Sequence, residues 1–185
     1  EWTTGTWVPP SGLTQVPIWP NGAPDMTGEP KTAEIISKHD GVNNVTNPTV
    51  TIMPPKGKNT GVAMVVFPGG GFRVLAMGIE GTEICDWITS KGITCVLLKY
   101  RVPKSNHYWD DDCHCHITPA VAWSLQDAQR AIKIVRAEAK ELHVDPSKIG
   151  VIGFSAGGYL VVQTSNIFES TYKRVDSVDD LSSRP

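Results

Sequence analysis

The sequence has no long apolar run and almost no excess of charge of either sign. Its strongest apolar run, VAMVVF at residues 62–67, is far shorter than the roughly 18 residues that a membrane-spanning helix needs. The formal net charge is −2, so no basic surface for nucleic acid or for an anionic membrane is expected. We therefore expect a small-molecule partner, with no nucleic acid and no membrane.

The first residue is Glu1 rather than methionine. We therefore expect an upstream piece, such as a signal peptide, that has been removed or left out. The sequence leaves the compartment open, with a secreted or periplasmic location favoured slightly over a cytoplasmic one.

Cysteine is scarce, and its four copies point in two directions. Cys85 and Cys95 fall on the inner faces of a predicted helix and a predicted strand, where we expect reduced, buried thiols. Cys113 and Cys115 fall in a loop, and either could pair with a cysteine outside these residues. Four cysteines also allow three internal pairings, among which the sequence does not choose.

What the sequence does contain is enough apolar material for a core, with 40% hydrophobic residues and six tryptophans. One domain over residues 1–185 is expected. Residues 1–30 are rich in proline and predict an extended arm that wraps a surface and forms no helix.

Beyond the arm, short β-branched runs alternate with longer helical patterns. The predicted strands are residues 49–53, 61–68, 92–100 and 148–154, and the predicted helices are about 78–91 and 120–142. Apolar strands separated by helices require crossover connections and a sheet that is covered on both faces. The predicted fold is therefore α/β, a three-layer α/β/α sandwich with a mainly parallel sheet.

Four side chains on the two helical segments carry structural predictions. Trp87 and Trp123 are predicted to lie in the core. Asp127 and Arg130, three residues apart on the second helix, are predicted to form a surface or structural pair without a catalytic role.

Two glycine-rich turns follow predicted strands. PGGGF at 68–72 and GFSAGG at 153–158 each begin where an apolar run ends. Because the carboxyl ends of parallel strands share one edge of a sheet, where ligands bind, we expect both turns to face one pocket. Neither turn has the lysine of a P-loop, and Val74 stands where a dinucleotide fingerprint needs its third glycine, so phosphate binding is disfavoured.

Ser155 lies in the second turn, within a G-x-S-x-G pattern at a strand-to-helix junction. That pattern is typical of a nucleophilic serine, because small neighbours let the chain turn sharply and expose the hydroxyl. The backbone N–H of Ala156, at the helix start, is predicted to bind an oxyanion together with the N–H groups of Gly70 and Gly71. An ordinary turn serine at 155 and a merely tight turn at residues 69–71 are the structural alternatives.

The sequence resembles the α/β-hydrolase superfamily and, within it, bacterial esterases and lipases of the acetyl xylan (carbohydrate) esterase type. The resemblance spans about residues 16–165 and rests on IWPNGAPD, PGGGFRVLAMGIEG, LLKYRVP and DPSKIGVIGFSAGG. Pro68 stands where the oxyanion loop of related lipases, H-G-G-G, has its histidine. The pattern is specific for the superfamily and less so for the substrate.

The resemblance implies a catalytic order of serine, then acid, then histidine. Asp176, Asp179 and Asp180 follow Ser155, but no histidine does. All five histidines precede the serine: His39, His107, His114, His116 and His143. We therefore expect these residues to be the N-terminal portion of a longer enzyme, whose C-terminal remainder is the partner that supplies the acid and the histidine.

The predicted function is a serine carboxylesterase that hydrolyses short-chain acyl esters, acetylated carbohydrates among them, without a metal or organic cofactor. Phe72 and Phe154, which lie within the two turns, and Arg73, which follows the first, are predicted to contact the substrate. A serine peptidase of the same superfamily and a non-catalytic binding module on the same fold are the alternatives. For Arg73, the alternative interpretation is a structural contact that holds the chain near the sheet edge. The same structural, non-catalytic role is expected for Glu80 and residues 99–101.

The segment WDDDCHCHITP, residues 109–119, concentrates metal-ligand residue types. Its spacing matches no common zinc pattern, so no metal site is predicted there. We expect a solvated loop that overhangs the pocket, with a substrate contact as its possible role.

Overall fold

A computed structural model describes residues 1–28, 32–102, 111–115 and 119–185. The regular elements, in chain order, are β1 Trp2–Thr4, β2 Gln15–Pro17, β3 Ile35–Ser37, β4 Gly41–Asn43, β5 Thr49–Met53, β6 Ala63–Phe67, β7 Val74–Ala76, α1 Glu83–Ser90, β8 Thr94–Lys99, α2 Pro119–Ala137, β9 Ile149–Gly153 and α3 Ala156–Asn166. A π-helical turn, Gly78–Thr82, leads directly into α1, and a 3-10 turn, Ser177–Asp180, follows α3.

These elements confirm the α/β class and the strands and helices expected from sequence periodicity. The four predicted strands are β5, β6, β8 and β9, and the first predicted helix is the π-helical turn together with α1. The second helix is α2, which ends at Ala137, and hydrogen-bonded turns continue the chain to Val144. No helix among the described residues is both long and apolar enough to cross a membrane.

The main sheet has five strands in the order β2-β5-β8-β6-β9. Strands β8, β6 and β9 are parallel, whereas β2 and β5 are antiparallel to their neighbours, so the predicted mainly parallel sheet is wrong and the sheet is mixed. A parallel neighbour needs a long crossover connection, usually a helix, and the described residues contain no helix between β2 and β5 or immediately after β5. A second sheet, in the order β1-β3-β4-β7, is antiparallel throughout.

In this strand order, β6 lies between the two strands that are parallel to it, β8 and β9. The chain leaves β6 through α1 to reach β8 on one side, and then passes through α2 to β9 on the other side. The last residues of β6 and β9, Phe67 and Gly153, are direct partners in the sheet. Both glycine-rich turns therefore start side by side at the carboxyl edge, as the sequence predicted.

The described part of the predicted arm, residues 1–28, contains β1 and β2 and no helix. Trp7, Ile18 and Trp19 bury their side chains in the common core. The arm is held by polar contacts as well, because the Trp19 indole N–H donates to the Asp127 carboxylate at 2.8 Å.

Asp127 and Arg130 do not form the predicted pair. Asp127 is fully buried and binds the equally buried Arg101 at 3.0 Å, whereas Arg130 binds Asp176 at 2.7 Å and Asp179 at 3.1 Å. The reason is that this face of α2 points into the protein, where other segments supply the partners. The interpretation as a surface pair is likewise wrong.

The two tryptophan predictions have opposite outcomes. Trp123 is buried, as predicted, but Trp87 is 59% exposed, and the prediction for it is wrong. The buried face of α1 carries Cys85, Ile88 and Thr89, and at 100° per residue position 87 points away from it. Trp87 instead lies beneath the ammonium group of Lys91.

All four cysteines form disulfide bonds, so the predicted reduced thiols at Cys85 and Cys95 are wrong. These two residues join α1 to β8 across a Cα–Cα distance of 5.4 Å, because the buried face of the helix lies directly on the strand. Cys113 and Cys115 bond to each other, which is one of the pairings that the sequence left open, so neither thiol is available as a metal ligand.

Candidate active site

Ser155 occupies a sharp turn between β9 and α3. Its backbone has φ 52° and ψ −116°, a conformation that is costly for a residue with a side chain. The residue is exposed, and its hydroxyl makes no capping hydrogen bond to the helix that it begins. Ser155 therefore does not cap the helix through its side chain, which is the commonest structural role of a serine in this position.

The glycines around Ser155 are required by close backbone contacts. A Cβ atom on Gly153 would lie 2.2 Å from the carbonyl oxygen of Gly157. A Cβ atom on Gly157 would lie 1.9 Å from the carbonyl oxygen of Phe67 at the end of β6. The G-x-S-x-G spacing thus allows the strand, the turn and the helix to approach each other closely enough to expose the serine.

The loop after β6 is a second strained turn. Gly70 has φ 141° and Gly71 φ 64°, and a Cβ atom on Gly70 would lie 1.9 Å from the carbonyl oxygen of Val74. The Gly70 carbonyl accepts the N–H groups of Arg73 and Val74, which closes the loop on itself. Within the described chain, the N–H groups of Gly70 and Gly71 donate to no acceptor.

The two turns are in direct contact. The position of a Cβ atom on Gly69 would be 2.5 Å from the carbonyl oxygen of Phe154, the residue before the serine. The N–H of Phe154 donates to the Phe67 carbonyl at 3.2 Å. These contacts place the loop that carries Gly70 and Gly71 against the turn that carries Ser155.

Two further side chains hold the loop. The N–H of Gly69 donates to the Glu80 carboxylate at 2.7 Å, and the hydroxyl of the fully buried Tyr100 donates to the Pro68 carbonyl. The interpretation of Glu80 and residues 99–101 as structural ties near the sheet edge is thus confirmed for Glu80 and Tyr100. Their specific partners were missed, since no local pattern links either residue to the Pro68–Gly69 peptide.

The third predicted oxyanion donor, Ala156, is the first residue of α3. The N–H groups of a first helical turn have no partner within the helix, and the helix dipole adds partial positive charge at this end. The arrangement therefore offers backbone donors from α3 and from the glycine loop on either side of an exposed hydroxyl.

The three predicted substrate contacts lie around these turns in different environments. Phe72 is buried and packs against Tyr100 and Tyr159, with ring centroids 6.3 and 6.1 Å apart. Arg73 is exposed, and Phe154 is half-buried. Their role in substrate binding stays a prediction.

The histidines do not complete a triad among the described residues. His107 and His116 lie outside them, as do residues 109–110 and 116–118 of the predicted overhanging loop. His143 lies at the amino edge of the parallel strands, opposite to the carboxyl edge where Ser155 lies. Its carbonyl accepts from the side chain of Asn59, shortly before β6 begins. In the described ranges, no group of three or more histidine, cysteine and acidic side chains is arranged to hold a metal ion.

Residues 51–177, more than half of the chain, match the family described as BD-FAE. Among curated proteins, an acetylxylan esterase of Xylanibacter ruminicola is 34% identical over 112 residues, which are 60% of this chain and 20% of that protein. An endo-1,4-beta-xylanase B of Butyrivibrio fibrisolvens is 25% identical over 122 residues, which are 66% of this chain and 18% of that protein.

Solved structures of esterases are similar to this chain as well. An acetyl ester-xyloside bifunctional hydrolase from Caldicellulosiruptor lactoaceticus aligns over 93% of this chain and 54% of its own, with 32% identity and a TM-score of 0.65. Esterase 2 of Thermogutta terrifontis, phosphonylated by sarin, aligns over 75% of this chain and 46% of its own, with 28% identity and a TM-score of 0.59. The chain thus spans about half the length of these solved relatives and about a fifth of the curated ones.

Proposed function

The chain belongs to the BD-FAE family, and from this premise we propose that it is a serine carboxylesterase that acts on short-chain acyl esters. Acetylated carbohydrates are the proposed substrate class, which the acetylxylan esterase and the acetyl ester-xyloside hydrolase among its relatives support. A relative that is phosphonylated by sarin supports a nucleophilic mechanism, since organophosphorus compounds modify activated nucleophiles.

In the proposed mechanism, the Ser155 Oγ attacks the ester carbonyl carbon while a histidine accepts the hydroxyl proton. The N–H groups of Gly70, Gly71 and Ala156 donate to the oxyanion that forms on the carbonyl oxygen. Collapse of this intermediate expels the alcohol, which takes the proton from the histidine. Water then attacks the acyl-enzyme by the same route and releases the acid, so no metal or organic cofactor is needed.

The observation that carries this proposal is the geometry of residue 155. Ser155 is exposed in a strained turn with glycine-only contacts on both sides, and in the loop beside it the N–H groups of Gly70 and Gly71 have no acceptor among the described residues. This arrangement is costly to fold. Such cost is expected where the conformation serves chemistry. Stability alone would favour a relaxed turn at this place.

We propose that the histidine and the acid are supplied by a polypeptide segment beyond these 185 residues. All five histidines precede Ser155, whereas the superfamily order places the histidine after it. The half-buried strand β9 supports this, since among described strands it pairs with β6 alone, while every residue of β8 is buried.

We also propose the three-layer arrangement for the complete domain. The crossovers β6-α1-β8 and β8-α2-β9 run in opposite directions across the sheet. If both are right-handed, as such connections almost always are, α1 and α2 lie on opposite faces. A further strand on β9 would then extend a sheet that is already covered on both sides.

The test compares Ser155→Ala with Ser165→Ala, an exposed serine on the same helix, in the protein with its natural continuation. We expect Ser155→Ala to abolish both hydrolysis of p-nitrophenyl acetate and labelling by a fluorophosphonate, and Ser165→Ala to retain both. Labelling of the Ser155→Ala protein at an undiminished rate would contradict the proposal. Cleavage of amides in preference to esters would favour a peptidase, and an unlabelled wild-type protein would favour a binding module.

A further inference from the structure

One peptide unit at the base of the glycine loop is hydrogen-bonded at both of its polar ends. Its carbonyl belongs to Pro68 and accepts from the Tyr100 hydroxyl, and its N–H belongs to Gly69 and donates to Glu80. No cis peptide bond occurs in the described chain, so this C=O and this N–H point in opposite directions. The two side chains therefore hold the plane of the Pro68–Gly69 peptide from opposite sides.

Both side chains are themselves fixed. Tyr100 is fully buried directly after β8, and its ring packs against Phe72. Glu80 lies in the π-helical turn, where a Cβ atom on Gly81 would be only 3.1 Å from Leu97 of β8. The close approach of this turn to the sheet brings the carboxylate to the loop, and π-helical turns often occur at functional sites.

The Pro68–Gly69 peptide directly precedes the two predicted oxyanion donors. Rotation of its plane would change ψ of Pro68 and φ of Gly69. It would thereby redirect the next peptide, which carries the Gly70 N–H, and the Gly71 N–H after it. Oxyanion donors act only when they lie about 2.7 to 3.1 Å from the developing charge, and small displacements remove their effect. Gly69 also touches the Phe154 carbonyl, so the same peptide sets the distance between the loop and the serine turn.

We infer that Glu80 and Tyr100 are positioning residues for the oxyanion loop. This inference rests on the proposed esterase function and deepens it. Neither side chain is assigned a contact with substrate: Glu80 acts through the N–H of Gly69, and Tyr100 through the carbonyl of Pro68. Glu80 is therefore expected to contribute to the rate of acyl transfer and little to substrate affinity.

The experiment compares Glu80→Ala, Glu80→Gln and Tyr100→Phe with the control Glu83→Ala, an exposed acidic residue three positions further along. In the protein with its natural continuation, we expect Glu80→Ala to lower kcat at least roughly tenfold with KM within about twofold, as for loss of transition-state interactions alone. Glu80→Gln should recover most of the rate, because its amide oxygen accepts the same N–H. Glu83→Ala should match the wild type.

Amide hydrogen exchange of Gly69, whose N–H donates to Glu80, provides a measurement that does not depend on activity. It should become faster in Glu80→Ala and Tyr100→Phe and stay unchanged in Glu83→Ala. Unchanged exchange together with unchanged kcat in Glu80→Ala, or a glutamine variant no better than alanine, would overturn the inference. If Glu80→Ala does not fold, Tyr100→Phe, which removes one hydroxyl, decides by the same measurements.

Ser155→Ala, measured in parallel, separates this inference from the proposed function. A fully active Ser155→Ala protein would refute the esterase mechanism, while the exchange data would still decide whether the peptide is held by the two side chains. An inactive Ser155→Ala protein, together with a Glu80→Ala protein whose kcat and amide exchange match the wild type, would refute only the positioning role.

Discussion

Two regions of the molecule differ in how completely they are buried. On the side of the arm, Trp7, Ile18 and Trp19 are at most 2% exposed and every residue of the middle strand β8 is buried, although the edge strand β2 itself is mostly exposed. On the side of β9, four of five strand residues are only half-buried, and α3 presents Tyr159 and Val162 to solvent. Ser155 lies on this less buried side.

Stability and chemistry are therefore located in different regions of this chain. Burial of apolar surface supplies most of the free energy of folding, so the arm side should dominate the stability of these residues. The strained turns that carry Ser155, Gly70 and Gly71 cost free energy, and they depend on the finished core beside them. Substitutions on the arm side, and matched substitutions in both regions, test this division.

The largest effect is expected from the buried ion pair on the arm side. Arg101→Met leaves the Asp127 carboxylate buried without its main partner, which should lower the free energy of unfolding by about 3 to 5 kcal/mol. Urea denaturation measures this loss. The double variant Arg101→Met/Asp127→Leu should regain most of the lost free energy of unfolding. An Arg101→Met protein as stable as the wild type would show that this ion pair does not stabilise the arm side.

An intermediate effect is expected from two identical substitutions on opposite sides. Val96→Ala in β8 removes a fully buried side chain and should cost about 2 kcal/mol, from lost transfer free energy and a small cavity. Val162→Ala on α3 removes a side chain that is 56% exposed and should change stability by less than about 0.5 kcal/mol. Equal losses in denaturant titrations would mean that the two sides are covered alike.

Local patterns in the sequence predicted the elements and the position of the serine. Periodicity located β5, β6, β8 and β9, and the G-x-S-x-G spacing anticipated a turn in which only glycine fits beside Ser155. The resemblance to α/β-hydrolase esterases was also correct, since the family match covers residues 51–177. These features depend on residues that are close in the sequence, which is why they could be predicted.

The features that failed depend on distant partners. The direction of β5 is set by its pairing with β8, and the disulfide Cys85–Cys95 requires a helix and a strand to meet at 5.4 Å between Cα atoms. Asp127 takes its partner from 26 residues away rather than from its own helix. The exposure of Trp87 is different, because its place opposite the apolar face of α1 was readable from helical spacing.

The smallest effect is expected at the ion pair between Arg130 of α2 and Asp176 in the segment after α3. Arg130 on α2 donates to the Ile18 carbonyl of the arm and to Asp176 after α3, and the bond to Arg130 lowers the pKa of Asp176 below its usual value. A carboxylate with a lowered folded-state pKa stabilises the protein above its unfolded pKa, and this contribution is lost as the pH falls through the folded value.

We therefore expect the wild type to lose part of its stability as the pH falls below about 4, near the ordinary pKa of an aspartate. Asp176→Asn should be less stable at neutral pH, and the gap should close in acid, because Asp176 is protonated there. The matched control is Asp180→Asn, whose partner Arg174 is exposed, so its effect should be smaller. A gap between wild type and Asp176→Asn that stays constant from neutral pH into acid would show that charge on Asp176 does not join the arm to the segment after α3.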